Sequence, residues 1–120
     1  MGHVRIPIRL RNPTDDSLFT EVTDALVDTA ATWTIIPRSI AAALQLREVG
    51  PFMVRTAAGP QQLVQSYAFV ELPLDKSMVA PLLISETLDI VLIGVTTLEA
   101  LGLAVDPTSE TLKESEILLL

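Results

Sequence analysis

The stretch Ala25-Leu26-Val27-Asp28-Thr29-Ala30-Ala31-Thr32-Trp33-Thr34-Ile35-Ile36-Pro37 decides how the rest of the chain is understood. An apolar strand runs into an acid, then small and hydroxyl residues, then a second apolar strand that stops at proline. An aspartate at the tip of an apolar strand has two explanations. It caps a turn, or it is held in a partly covered place because its chemistry is needed there. The rest of the chain separates the two.

At 120 residues and 13.0 kDa the chain is read as a single domain over 1–120, large enough to bury its own core. With no cysteine, it has no disulfide, thiolate metal site or cysteine nucleophile, and His3 is its one histidine. A multi-histidine metal centre is thereby excluded, no cofactor is expected, and a serine–histidine triad would need its base at the extreme N-terminus. The net charge of −7 and pI near 4.5 argue against nucleic acid and anionic membrane as partners. An apolar fraction of 49% with only 4% aromatics and a mean hydropathy of +0.46 leaves surplus aliphatic surface, which points to a subunit interface. No apolar run approaches the ~18–20 residues that cross a bilayer, and the N-terminus carries no signal-peptide core, so cytoplasmic residence is expected.

Outward from the opening stretch, Val4–Leu10 alternates apolar and polar residues like a half-buried strand, and Pro7 predicts that it lies at a sheet edge. Turn chemistry at 12–17 joins it to a second strand over Leu18–Val27. Pro37–Leu46 predicts a short helix with proline in its first turn. Val49–Thr56 and Gln61–Leu74 predict a long hairpin that turns at Ala57-Ala58-Gly59-Pro60, where Gly59 supplies a positive φ. Met78–Ile84 and Ile90–Ile93 read as further strands, the latter buried on both faces. Gly94–Gly102 reads as a helix capped by threonine and ended by glycine. Leu103–Val105 and Thr111–Lys113 pair around the Asp106-Pro107 turn. Tyr67, Phe69 and the methionines read as core, and the tail Ile117–Leu120 as too apolar for water. The result is a mostly β chain with two short helices. A weak internal repeat of strand, small-residue turn, threonine, helix and leucine recurs at Leu26–Leu46 and Val91–Leu103.

With these elements in order, the sequence resembles the retropepsin-like (clan AA) aspartic proteases, and especially their small prokaryotic members. The resemblance rests on Asp28-Thr29-Ala30-Ala31 after an apolar strand, on the hairpin centred on Gly59, and on Leu92-Ile93-Gly94 leading into a late helix. It extends through Thr32-Trp33-Thr34-Ile35-Ile36-Pro37 and Leu98–Pro107, nearly the whole chain. It implies a single-lobe acid-protease fold with closed, barrel-like β-sheets and a flap hairpin, assembled as a homodimer. One aspartate per chain cannot run this chemistry, so Asp28 from each of two copies would form the catalytic pair. Two carboxylates within ~3 Å cannot both ionise and so share a proton. By position, Thr29 would lock the two loops together, Ala30 and Ala31 would complete the active-site loop, and Ala57, Ala58 and Gly59 would form a mobile flap. Thr32, Trp33 and Ile93 would contact a peptide or unfolded-protein substrate.

The chain departs from the family pattern at Ala30, where members have glycine, and at Val95, where retroviral members have arginine; Thr32 stands for the acid that pairs with that arginine. Loss of both partners strands no charge. Ala30 is a methyl group at a place of close substrate approach. Two functions therefore stand side by side: a homodimeric aspartic endopeptidase, and a non-catalytic dimeric peptide-binding module on the same fold.

Overall fold

The computed structural model describes residues 4–116. β1 (Val4–Asn12) and β2 (Asp15–Val27) form the first hairpin, and β3 (Ile35–Pro37) runs into α1 (Arg38–Ala43). β4 (Gly50–Thr56) and β5 (Gly59–Leu72) form the long hairpin, followed by β6 (Lys76–Ser85), β7 (Leu92–Ile93), α2 (Val95–Ala100), and a separate pair, β8 (Leu103–Asp106) with β9 (Thr111–Glu114). The main sheet runs β1-β2-β7-β3-β6-β5-β4. It curls until β1 meets β5 at Arg9–Glu71, Leu10–Val70 and Arg11–Phe69, which closes a barrel and hides those two edges.

Period-two alternation sends Val4, Ile6, Ile8 and Leu10 of β1 inward, where they meet Ala25, Val27, Ala68, Val70, Leu82, Ile84 and Ile93. Ile36, Leu44 and Leu98 add to the same core from β3, the end of α1, and α2. β5 is long enough to serve several neighbours. Val64–Leu72 pairs with β6, and Gly59–Gln65 pairs with β4. Residues Gly59–Leu63 therefore hydrogen-bond only to β4, so the end of this hairpin is a two-stranded ribbon outside the barrel wall.

Several expectations are corrected. Pro7 does not put β1 at an edge along its whole length, because β5 covers Arg9–Arg11. Pro7 instead sits at a register break between Ile6 and Ile8, in the half of β1 that only β2 pairs, so no ladder donor is missed. Pro37 precedes α1 as its N-cap in extended conformation rather than entering its first turn. α2 is capped by Gly94, not by a threonine side chain, and its β-strand partner β7 shrinks to Leu92–Ile93. Met53 is 60% exposed, and Phe69 lies on the outer face beneath the Arg11 guanidinium. The tail Ile117–Leu120 lies outside the described residues.

α1 shows how side chains replace missing helix partners. Gln45 takes the left-handed conformation usual for glycine after a helix, and the Gln45 and Leu46 amides donate back to Ala42 and Ala41. The remaining carbonyls of Leu44 and Gln45 accept hydrogen bonds from the buried Asn12 Nδ2 (2.9 and 3.1 Å), while Asn12 Oδ1 accepts from Thr14. One side chain thus ties the first turn to the helix end.

Candidate active site

β2 and β7 run parallel, with Leu26 beside Leu92 and Val27 beside Ile93. The two halves of the internal repeat are thus neighbours in space, and both strands end at the same level. From β2 the chain turns through Asp28–Trp33; from β7 it enters α2 at once through Gly94. The two exits then bind each other. The Asp28 amide donates to the Ile93 carbonyl (3.0 Å), the Val95 amide to Ala31 (2.8 Å), and the Thr96 amide and hydroxyl to Thr32 (3.2 and 2.6 Å). Amides at the start of α2, which lack partners within their own helix, find them in the loop's carbonyls.

Beneath the loop lies a buried polar knot. Thr34, fully buried, shares a 2.7 Å hydrogen bond between its Oγ1 and that of Thr97, and the same oxygen accepts from the Gly94 amide at 3.0 Å. Every member has a partner, so the knot costs little to bury and fixes the loop against the helix. Nothing in the period of the sequence singled out Thr34 or Thr97. Their role follows from two strand exits meeting.

Asp28 is half-buried at the start of this loop. Its Oδ1 accepts from the Ala30 amide at 3.0 Å and its carbonyl from the Ala31 amide at 3.1 Å, a tight local turn. Among the described residues no Lys or Arg side chain forms an ion pair with it. Thr29 and Ala30 are exposed beside it. Ala30 is not among the described non-glycine residues with positive φ, so its backbone suits alanine as well as glycine; only the methyl group distinguishes them.

Two recesses flank the loop. One of about 400 Å³ lies between the loop and the long hairpin, walled by Ala30, Trp33, Ile35, Phe52, Val54 and Leu83. Ala31 and Thr32 border it too, and so does Thr56 at the base of the hairpin turn. The other, of about 440 Å³, runs from Thr29 along Val95 and Leu98 to Leu103 and Val105. The hairpin turn itself bends through the exposed Ala57 and Ala58 and needs a positive φ only at Gly59 (+112°), with Thr56 Oγ1 donating to the Gly59 carbonyl. The structure therefore brings Ala30, Ala31, Thr32 and Trp33 to one recess and sets Thr29 on the other. Ile93 differs from expectation: alternation along this run, which is not covered on both faces, leaves Leu92 half-buried and turns Ile93 fully into the core, so Ile93 meets the loop through its carbonyl rather than through a cleft surface. Phe52 was not singled out in the sequence, although its period-two spacing from Val54 marks one face of the hairpin. No cluster of three or more His, Cys, Asp or Glu suited to a metal occurs among the described residues.

A family model described as gag-polyprotein putative aspartyl protease matches residues 20–100, a span from β2 through the loop and hairpin to the end of α2. The chain belongs to that family. The solved structure of EIAV protease complexed with the inhibitor HBY-793 is similar in fold, with a TM-score of 0.65 at 13% identity, over 84% of this chain and 89% of that one. At that identity the likeness concerns the fold, and it establishes the retropepsin-like, mostly β architecture. No curated protein sequence matches the chain. Within this retropepsin-like family member, the loop at Asp28 and the hairpin at Gly59 both fall inside the matched residues.

Proposed function

We propose that the chain is a homodimeric aspartic endopeptidase in which Asp28 and the Asp28 of a second copy activate a water molecule. The observation that carries this reading is the state of Asp28. It is an acid with no cationic partner among the described residues, on a loop whose backbone is fixed from below by Ile93, Val95 and Thr96. A catalytic acid has to be kept clear of a neutralising cation and held still, and Asp28 meets both conditions.

With two such loops facing each other, the ionised carboxylate takes a proton from water as it attacks the scissile carbonyl, and the protonated carboxyl donates to the carbonyl oxygen. Collapse of the tetrahedral intermediate passes a proton to the departing amine, and the pair returns to its starting state. In this reading Thr29, exposed next to Asp28, bridges the two copies, and the mixed polar and apolar recess running from it offers them further contact. Ala57, Ala58 and Gly59 close as a flap over peptide held against Ala30, Ala31, Thr32 and Trp33, which excludes water from the reaction. Ile93 supports Asp28 from beneath and does not touch substrate.

Ala30 favours a second reading, a dimeric peptide-binding module without turnover, because its methyl group borders the recess. Cleavage of a peptide library at mildly acid pH separates the two. The endopeptidase reading expects turnover that disappears in Asp28→Asn and is blocked by a statine-type inhibitor; activity surviving Asp28→Asn sinks it. Turnover that appears only in Ala30→Gly assigns this chain to the binding module.

A further inference from the structure

The ribbon Phe52–Leu63 has no barrel neighbour for its hydrogen bonds, yet it is anchored near its base. The Phe52 ring meets the Trp33 ring with centroids 5.0 Å apart and planes tilted by 59°, a favourable aromatic geometry. Trp33 belongs to the loop that carries Asp28 and is bound to α2 only one residue earlier, at Thr32. β4 alternates so that Phe52 and Val54 are half-buried while Met53 and Arg55, which also border the recess, are exposed. Phe52 is thus the point where the ribbon touches the rigid loop through a large side chain.

We infer that Phe52 is a positioning residue: through Trp33 it latches the flap ribbon to the active-site loop and sets the height of the flap above Asp28. A two-stranded ribbon alone is marginal in water, so its resting position depends on such contacts. The latch also walls the outer side of the recess beneath the flap. A peptide entering that recess meets Trp33 and Phe52 together, so opening of the flap and filling of the recess are coupled. The inference concerns the same site as the endopeptidase reading and rests on it only for its kinetic consequence.

Hydrogen exchange of the amides in Val54–Leu63 tests the latch without any turnover. Phe52→Ala is expected to speed exchange there by about two- to tenfold, the factor an aromatic pair of this kind supplies, while amides of Leu10 and Ala25 in the barrel keep their rates. Gln62→Ala, exposed on the same ribbon and outside the recess, is expected to leave the ribbon unchanged. Phe52→Tyr retains the contact and restores wild-type rates. Trp33→Ala is expected to match Phe52→Ala, and the double variant to add little, because both remove one contact. Unchanged ribbon exchange in Phe52→Ala, or fully additive effects of the two variants, overturns the inference. Where Phe52→Ala fails to fold, Phe52→Leu and Trp33→Phe put the same question more gently. Kinetically, loss of the latch raises KM more than it lowers kcat. Absence of turnover in every variant speaks against the endopeptidase reading alone, since the exchange result decides the latch by itself.

Discussion

Gly94 lies directly against the backbone of Trp33: a β-carbon on Gly94 would stand 2.4 Å from the Trp33 carbonyl carbon and 2.5 Å from its oxygen. The Thr32 carbonyl oxygen would be at 2.8 Å. The conformation of Gly94 (φ −85°, ψ 166°) is open to any residue, so space alone demands glycine here. All the atoms in the way are backbone, and none can swing aside.

Gly94→Ala therefore has to move the active-site loop or the start of α2. A loss of about 2–3 kcal/mol is expected, at the upper end for overpacking, because the clash falls on main chain rather than on a side chain. The urea midpoint measures it. The Val95–Ala31 and Thr96–Thr32 hydrogen bonds are the first to break, so any peptidase activity falls further than stability does.

Thr34→Val keeps the shape of the side chain but deletes its hydroxyl. The Gly94 amide and the Thr97 hydroxyl then lose their shared partner in a fully buried place. A cost of about 1–3 kcal/mol follows from leaving them unsatisfied. Thr97→Val costs less, since Thr34 keeps the Gly94 amide. Chemical denaturation of the two single variants checks the order.

The turn between β5 and β6 carries a correctable strain. Leu74 (φ +66°) and Asp75 (φ +59°) both adopt the left-handed conformation, and Leu74 is 49% exposed with little packing to offset it. Leucine is poorly suited to positive φ, whereas asparagine tolerates it. Leu74→Asn is expected to stabilise the protein by about 0.5–1 kcal/mol, seen as a higher melting temperature; a lower one would count against this account of the turn.

Asp106 links stability to pH at the β8–β9 turn. Its carboxylate accepts hydrogen bonds from the Thr108 and Ser109 amides, which, with Thr108 the larger influence, hold its pKa below the ordinary 3.8. Because the folded value is depressed, its contribution is present above about pH 3.8 and fades as the pH falls below it. Acid titration followed by the β8–β9 amide resonances is expected to show this turn loosening in that range. In Asp106→Asn this pH dependence disappears.

Much of the chain was legible from residues alone. The period-two strands, the Gly59 turn, the helix stop at Gly102 and the Asp106 turn are local, and local chemistry writes them plainly. The errors sit where a distant partner decides. Pro7 signals an edge, but β5 reaches only half of that strand; Ile93 looks like a cleft residue until the barrel core closes over its side chain. Phe52 gave no sign of importance, and Thr34 stood out only as one residue of the family-like run Thr32–Pro37, because an aromatic or a hydroxyl acquires its role from what it meets.

The sequence by itself determined the order of strands, the acid at the end of an apolar strand, and a family resemblance strong enough to predict the fold. These follow from periodicity, turn chemistry and residues adjacent in the chain. Only the tertiary structure decided how Asp28 is held. That required bringing the exit of β2 and the exit of β7 side by side, so that Gly94 could press against Trp33 and the α2 amides could bind the loop's carbonyls. Those contacts join residues some sixty positions apart, where separation along the chain carries no information about separation in space.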